Sequence, residues 1–319
     1  MKVYIPFDAQ PETRQMLEEA GLEVALSYAT NKEELLKEIP DADAALVRSL
    51  PYDREVLQAA PRLKVIGRVG VGYDAIDTKA AEELGIWVGI ALGANGNSVA
   101  EHTMALMMAL SKNLVLVNNH LKDGDFDIRT RVVGCELRRK TLGILGVGAI
   151  GRMVAAMAHD GFGMEIIGYD AFISPAIKPY VKMLDSVEAV LKQADYISLH
   201  MPATPETTGM INHKTLALMK PTAFLVNCAR GAIVNEKELY EALRDHVIAG
   251  AGLDVFVGDR PQPDNPLLTL DNVIVTPHYA AYTIESAKAM ENMAAQAVID
   301  VLSGGEPKHP VNHPAAARV

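Results

Sequence analysis

Cysteine is nearly absent from this 319-residue chain: there are two, Cys135 and Cys228, and no C-x-x-C spacing. That excludes a disulfide framework and a thiolate zinc site, and it fits a reducing, cytoplasmic setting. Basic residues are also scarce. Thirty Lys and Arg stand against forty Asp and Glu, a formal charge of −10. Such a surface does not draw nucleic acid or an anionic membrane, so neither is expected as a partner. An anionic substrate must instead be met by locally placed arginines. Long apolar runs are missing. The strongest, near Met104–Leu110, falls far short of the roughly 20 residues a membrane helix needs. An acid at Asp8 comes too early for a signal peptide. Asp123, Asp125 and Asp127 have calcium-loop spacing, but the glycine and later glutamate of that loop are misplaced, so no metal is expected. Low-complexity sequence is lacking, and disorder is expected in the last ten residues alone.

What is present is apolar mass. Hydrophobic residues make up 49 %, enough for sizeable cores, and the length suits two domains. Residues 1–90 alternate short apolar strands with amphipathic helices. Strands are expected at Lys2–Pro6, Glu23–Tyr28, Ala44–Arg48, Lys64–Arg68 and Ile86–Ile90. Repeated βα units imply a parallel sheet covered on both faces. No glycine fingerprint follows the first strand, where Pro6-Phe7-Asp8 stands instead. One long apolar helix is expected over about 98–121, with Ser98 and Glu101 as a capping box.

The βα alternation resumes at Thr141-Leu-Gly-Ile-Leu-Gly-Val-Gly-Ala-Ile-Gly-Arg152. This reads as a strand, then Gly146-x-Gly148-x-x-Gly151, then a helix. Gly146 permits a tight turn, Gly148 lets backbone approach a pyrophosphate, and Gly151 lets the helix pack near the strand. The helix N-terminus offers N–H groups to the anion. A second strand, Met164–Asp170, ends in an acid where a ribose-binding carboxylate is expected. Further strands are expected at Tyr196–His200, Ala223–Asn227, Ile248–Val255 and Asn272–Thr276, and a closing helix at about Ile284–Ser303. A wound domain inserted into another is the expected architecture. The boundaries are set at 1–98 with 290–319 for the substrate domain and 99–289 for the dinucleotide domain, with a cleft between the lobes.

Three further stretches carry chemistry: Val226-Asn-Cys-Ala-Arg230-Gly231, then Gly252-Leu-Asp254-Val-Phe with Asp259 beyond, and Thr276-Pro-His278-Tyr-Ala-Ala-Tyr-Thr283. With the glycine motif and Ala100-Glu-His102, they resemble the D-isomer-specific 2-hydroxyacid dehydrogenases over nearly the whole chain. The resemblance implies an α/β fold of two Rossmann-like doubly wound parallel sheets, the NAD domain inserted into a discontinuous flavodoxin-like substrate domain. It also implies a homodimer built on the NAD domain. The implied reaction is hydride transfer between NAD and C2 of a D-2-hydroxy acid or 2-oxo acid. Arg230 matches the substrate-carboxylate arginine, a role its planar, bidentate guanidinium suits. His278 matches the general acid/base. The family has Glu followed by Pro as the histidine's partner; here Asp259 is followed by Arg260. The shorter acid requires a closer loop or a bridging water, with Asp264 as the fallback. Asp254 matches an aspartate near the nicotinamide amide. The resemblance further implies cofactor contacts at Gly146, Gly148, Ala149, Ile150, Gly151, Asp170, His200, Pro202, Thr207, Cys228, Ala229 and His278. Asp170 would repel a ribose 2′-phosphate, favouring NAD over NADP. Val47-Arg48-Ser49, Gly67-Arg68 through Val71-Gly72, and Arg129 resemble anion-binding stretches of D-3-phosphoglycerate dehydrogenases. The substrate remains either a phospho-acid or a small acid such as glyoxylate or hydroxypyruvate, with Arg48 and Arg68 paired to acids in the latter case. A regulatory NAD-binding, corepressor-like role is the alternative function, and the acid and histidine at 259 and 278 speak against it. His102 reads as a structural histidine and Cys228 as a small buried hydrophobe. Because the sequence stops near 319, feedback through a C-terminal regulatory extension is not expected.

Overall fold

Central strands such as Ala44–Val47 and Tyr196–Leu199 are wholly buried, as expected where helices cover both faces of a parallel sheet. The computed structural model describes residues 1–172 and 177–318. Among these, the strands are β1 (Lys2–Ile5), β2 (Glu23–Leu26), β3 (Ala44–Val47), β4 (Val65–Arg68), β5 (Trp87–Ile90), β6 (Thr141–Leu145), β7 (Glu165–Tyr169), β8 (Val181–Met183), β9 (Tyr196–Leu199), β10 (Phe224–Asn227), β11 (Gly250–Leu253) and β12 (Val273–Val275). One sheet has the order β2-β1-β3-β4-β5 and the other β12-β11-β10-β9-β6-β7-β8. All their pairings are parallel. The first order is flavodoxin-like and the second Rossmann-like. In such sheets ligands bind beyond the carboxyl ends of the strands where the winding reverses. Those points lie between β1 and β3, and between β6 and β9.

The chain divides into two units, Met1–Asn95 with Tyr282–Val319, and Gly96–Ala281. The crossings fall three and eight residues before the positions drawn from sequence. The reason is that helices stay whole: Gly96–Ser111 belongs to the second unit and Ile284–Leu302 to the first. In the first unit, Ala294, Ala295, Val298 and Val301 of that last helix join Val3, Ile5, Leu17, Leu46 and Val65 in one core. In the second, Leu199, Leu225, Ala251 and Leu253 form a core with Leu239 and Leu243 on one face. Ile144, Val226, Met104 and Met107 form another on the opposite face. Each fully buried Leu, Ile or Val contributes roughly 1.5–3 kcal/mol, so these clusters hold the strand ends in register.

Four local expectations are corrected. The helix expected over 98–121 is two helices, Gly96–Ser111 and Leu114–Lys122. It breaks because Asn113 is left-handed (φ 50°) and the Ser111 carbonyl accepts from Cys135 N, at 2.8 Å. Asparagine tolerates that conformation locally. Ser98 is not a cap: it lies inside the first helix and its hydroxyl donates to the Ala280 carbonyl, at 2.6 Å. Strand β8 lies where only a loop was expected; part of that loop, 173–176, is outside the described residues. The tail is ordered through Arg318. Asn312 is buried, accepts from Val88 N and donates to Ile86 O, both at 2.8 Å, and Gly89 bridges Pro310. Arg318 donates to the carbonyls of Ala60 and Leu63. The tail thus covers the β5 edge, a common remedy for an exposed sheet edge.

Candidate active site

At the reversal point of the second sheet, the turn after β6 uses its glycines in three ways. Gly146 has φ +94°, and a Cβ there would lie 2.7–2.8 Å from the His200–Met201 peptide at the end of β9. A Cβ on Gly151 would overlap the Gly146 carbonyl oxygen. Gly148 differs: its φ is −73°, and a Cβ would meet nothing within 4 Å. The open space in front of it is where an anion would be approached by backbone alone. The helix it caps, Ala149–Ala156, has no side-chain cap, so the amides of Ala149, Ile150 and Gly151 stay available to a ligand. Asp170 follows β7. Its Oδ2 accepts from Val147 N of the turn at 2.7 Å and its Oδ1 from Phe172 N at 2.9 Å. This donor set fits a dinucleotide: a cradle for pyrophosphate and an acid one strand away.

Other residues matched to cofactor contacts line the neighbouring strand ends. His200 follows β9, and burial lowers its pKa to about 4, so its ring is neutral at physiological pH. Its Nε2 lies 2.7 Å from Ser198 Oγ. Thr207 Oγ1 donates to Pro202 O at 2.7 Å and accepts from Thr204 N at 2.8 Å, pinning that loop to itself. Burial pushes the Cys228 thiol up to about 12, so it is not a nucleophile. Ala229 N donates to Asn227 Oδ1, and the Ala229 carbonyl accepts from Arg230 at 2.8 Å.

The residues matched to substrate and proton handling lie beyond β10, β11 and β12, three adjacent strands. Arg230 follows β10, its carbonyl held by Asn227 Nδ2 at 2.9 Å. Asp259 follows β11, and its Oδ1 meets His278 Nδ1 directly. No water is needed between them, and Asp264 is not the acid at this nitrogen. Both residues are left-handed, φ 68° and 53°. Gly258, at φ +76°, precedes Asp259 in the same turn. Both side chains remain accessible, 65 % for Asp259 and 48 % for His278, so the ring is open to a substrate on its other side.

Asp254 explains how His278 is held. Its carbonyl accepts from His278 N at 2.7 Å. Its carboxylate, 1 % exposed, accepts from Tyr279 N at 2.7 Å, Ala280 N at 3.0 Å and Thr276 Oγ1 at 2.5 Å. Three consecutive amides thus hang on one residue. Thr276 in turn lies 3.0 Å from His102 Nε2. Sequence reading missed this use of Thr276 and His102, because the contact spans 174 positions and has no local signature.

In the first unit, Arg48 and Arg68 lie at the carboxyl ends of β3 and β4, beside the reversal point. Arg48 stacks on Phe7, 4.1 Å from its ring centre, and pairs with the buried Glu291 at 2.7 Å. Arg68 donates to the carbonyls of Val69 and Gly72, shaping the turn that holds Val71. Arg129 belongs to the second unit, on the helix Ile128–Arg131, with its guanidinium 4.2 Å from the Phe126 ring centre. It stands on a different segment from the strands that carry Arg230 and His278.

Comparison with known proteins follows the same lines. Residues 104–280 match the model described as "D-isomer specific 2-hydroxyacid dehydrogenase, NAD binding domain". A curated D-3-phosphoglycerate dehydrogenase of Methanocaldococcus jannaschii is 45 % identical over 317 residues, covering 98 % of this chain and 60 % of that protein. The chain thus spans about 60 % of the length of the first curated relatives it matches. The crystal structure of the TT0316 protein from Thermus thermophilus has a TM-score of 0.90 at 35 % identity, covering 98 % of this chain and all of that one. That of D-lactate dehydrogenase from Aquifex aeolicus, complexed with NAD and lactic acid, has a TM-score of 0.86 at 31 % identity, covering 99 % and 100 %.

Proposed function

The chain belongs to the D-isomer-specific 2-hydroxyacid dehydrogenase family, and from that membership we propose a cytoplasmic NAD-dependent dehydrogenase acting at C2 of a D-2-hydroxy acid or its 2-oxo acid. The observation that carries this reading is the Asp259–His278 contact beyond adjacent strands of the dinucleotide-binding sheet.

Bound NAD supplies the hydride acceptor, and NADH the donor. The glycine turn and the Ala149–Ala156 helix N-terminus would hold its pyrophosphate, and Asp170 would hold the adenosine ribose. A ribose 2′-phosphate beside that carboxylate is repelled, which favours NAD over NADP. Arg230 orients the substrate carboxylate through two parallel N–H···O bonds. His278 donates its Nδ1–H to Asp259, which leaves Nε2 to face the substrate oxygen. In oxidation Nε2 takes the hydroxyl proton and becomes imidazolium beside Asp259. In reduction the imidazolium returns that proton to the carbonyl oxygen. Asp259 fixes the tautomer and stabilises the charged ring.

For the substrate we favour a phosphorylated acid of the 3-phosphoglycerate type, supported by the named relatives; the Arg48–Glu291 pair is instead what the small-acid alternative calls for, and the acid panel decides between them. Two copies of the chain assemble through the second unit. Supporting this, the helix Leu114–Lys122 has no buried residue.

The test is NADH oxidation with a panel of 2-oxo acids, including 3-phosphohydroxypyruvate and hydroxypyruvate. Turnover of at least one is expected, with the phosphorylated acid preferred. NADH binding without turnover of any would overturn the enzyme reading in favour of a regulatory one. In Arg48→Ala the preference for the phosphorylated acid is expected to fall. Equal losses on both acids would remove Arg48 from phosphate recognition. A ratio is used because Arg48→Ala also leaves Glu291 buried and unpaired, which is destabilising in itself.

A further inference from the structure

We propose that His102, seen from sequence as a structural histidine, is a positioning residue that sets the His278 loop through Thr276 and Asp254. The catalytic meaning of this rests on the reading of His278 given above; the positioning itself does not.

One face of the helix Gly96–Ser111 grips the loop at both ends. Ser98 and His102 are four residues apart and so project from the same side. Ser98 donates to the Ala280 carbonyl at 2.6 Å, and His102 reaches Thr276 at 3.0 Å. Between these anchors lies His278, held left-handed by the Asp254 carbonyl. A non-glycine residue in that conformation persists only where its surroundings over-determine it.

Proton bookkeeping fixes the direction of each bond. The Asp254 carboxylate accepts from two amides and from Thr276. The single hydroxyl proton of Thr276 is therefore spent on Asp254, and its oxygen can only accept from His102. So His102 carries a proton on Nε2. It lies 3.6 Å from Asp254 Oδ1, and the chain His102 → Thr276 → Asp254 runs donor to acceptor without a break. Removing the first donor frees the Thr276 hydroxyl to rotate and loosens the carboxylate that carries the Tyr279 and Ala280 amides.

The test uses the full-length protein labelled with 15N-histidine, without substrate, alongside four variants. In the wild type, His102 is expected to show a proton on Nε2; a ring protonated on Nδ1 alone overturns the proposal. In His102→Leu, the His278 Nδ1–H signal shared with Asp259 is expected to shift or broaden, and to be restored in His102→Gln, which keeps an N–H donor. An unchanged signal in the Leu variant overturns it. In kinetics, His102→Leu and Thr276→Val are each expected to lower kcat by about tenfold or more, as small misplacements of reacting groups do, with KM for NADH little changed. The double variant is expected to be no worse than either single one. Additive losses, or a Gln variant as poor as Leu, refute a shared chain. If the wild type turns over no 2-oxo acid, the catalytic reading fails while the NMR comparison still decides the positioning.

Discussion

His278 and Asp259 meet across two turns that each demand a left-handed residue. His and Asp enter that region more readily than most side chains, yet each still costs on the order of 1 kcal/mol. The site keeps them because the hydrogen bond needs those directions. Asn tolerates the same backbone as Asp, so Asp259→Asn isolates the charge. It is expected to fold with an unchanged Tm and to lower kcat by about 10²-fold, the usual scale for acid–base groups. A kcat equal to that of wild type would place the partner elsewhere. His200 gives a second test. Its folded pKa, about 4, lies below its ordinary value of 6.5, so the unfolded chain binds a proton that the folded chain does not. The penalty is nil above pH 7 and grows as pH falls through 6.5 toward 4. At pH 5 it amounts to about 2 kcal/mol. Denaturant titrations at pH 7 and pH 5 are expected to show wild type losing about that much more stability than His200→Gln. Equal losses would mean the ring is solvated.

At the scale of elements, the turn after β6 separates folding from binding within one motif. Gly151→Ala puts a methyl into the Gly146 carbonyl, so it is expected to lower Tm along with NADH affinity. Gly148→Ala meets nothing in the protein and sits at an ordinary φ. It is expected to keep or slightly raise Tm, by up to ~1 kcal/mol in stability, while weakening NADH binding by tenfold or more. Fluorescence titration and a thermal melt read both, and a Gly148→Ala protein that binds NADH normally would show that no ligand uses this space. The division of labour among these glycines was legible in the sequence because each role follows from the strand–turn–helix pattern around it. The alternating strands and helices were legible for the same reason. The break at Asn113 was not, since its cause is a backbone segment arriving at Ser111 from Cys135. Nor was β8, whose Val-Lys-Met is too short to show a period. In the site, resemblance alone singled out Arg230, Asp259 and His278. The bonds that hold His278 join residues far apart in sequence, and no local pattern reports them.

For the whole molecule, the two ends of the chain build one unit and its middle builds the other. The first unit covers its β5 edge with its own tail, but the second leaves apolar surface uncovered. Leu114, Val115 and Leu121 on the helix Leu114–Lys122 are 58, 43 and 56 % exposed, and Phe126 and Val133 beside them in sequence are 55 and 87 % exposed. Scattered apolar residues are ordinary on a monomer, but a helix whose inward residues, Leu116 and Val117, are only half-buried gains little from folding alone. A second copy of the same helix is the simplest cover, because a two-fold interface pairs a surface with itself. The net charge of −10 works against self-association, so such contact must come from apolar burial and is expected to survive high salt. Sedimentation is expected to give a dimer at both low and high salt. Leu121→Glu together with Phe126→Glu is expected to give a folded monomer, because neither side chain supports the core of its own chain. A wild-type monomer, or a dimer untouched by both charges, would put the assembly surface elsewhere.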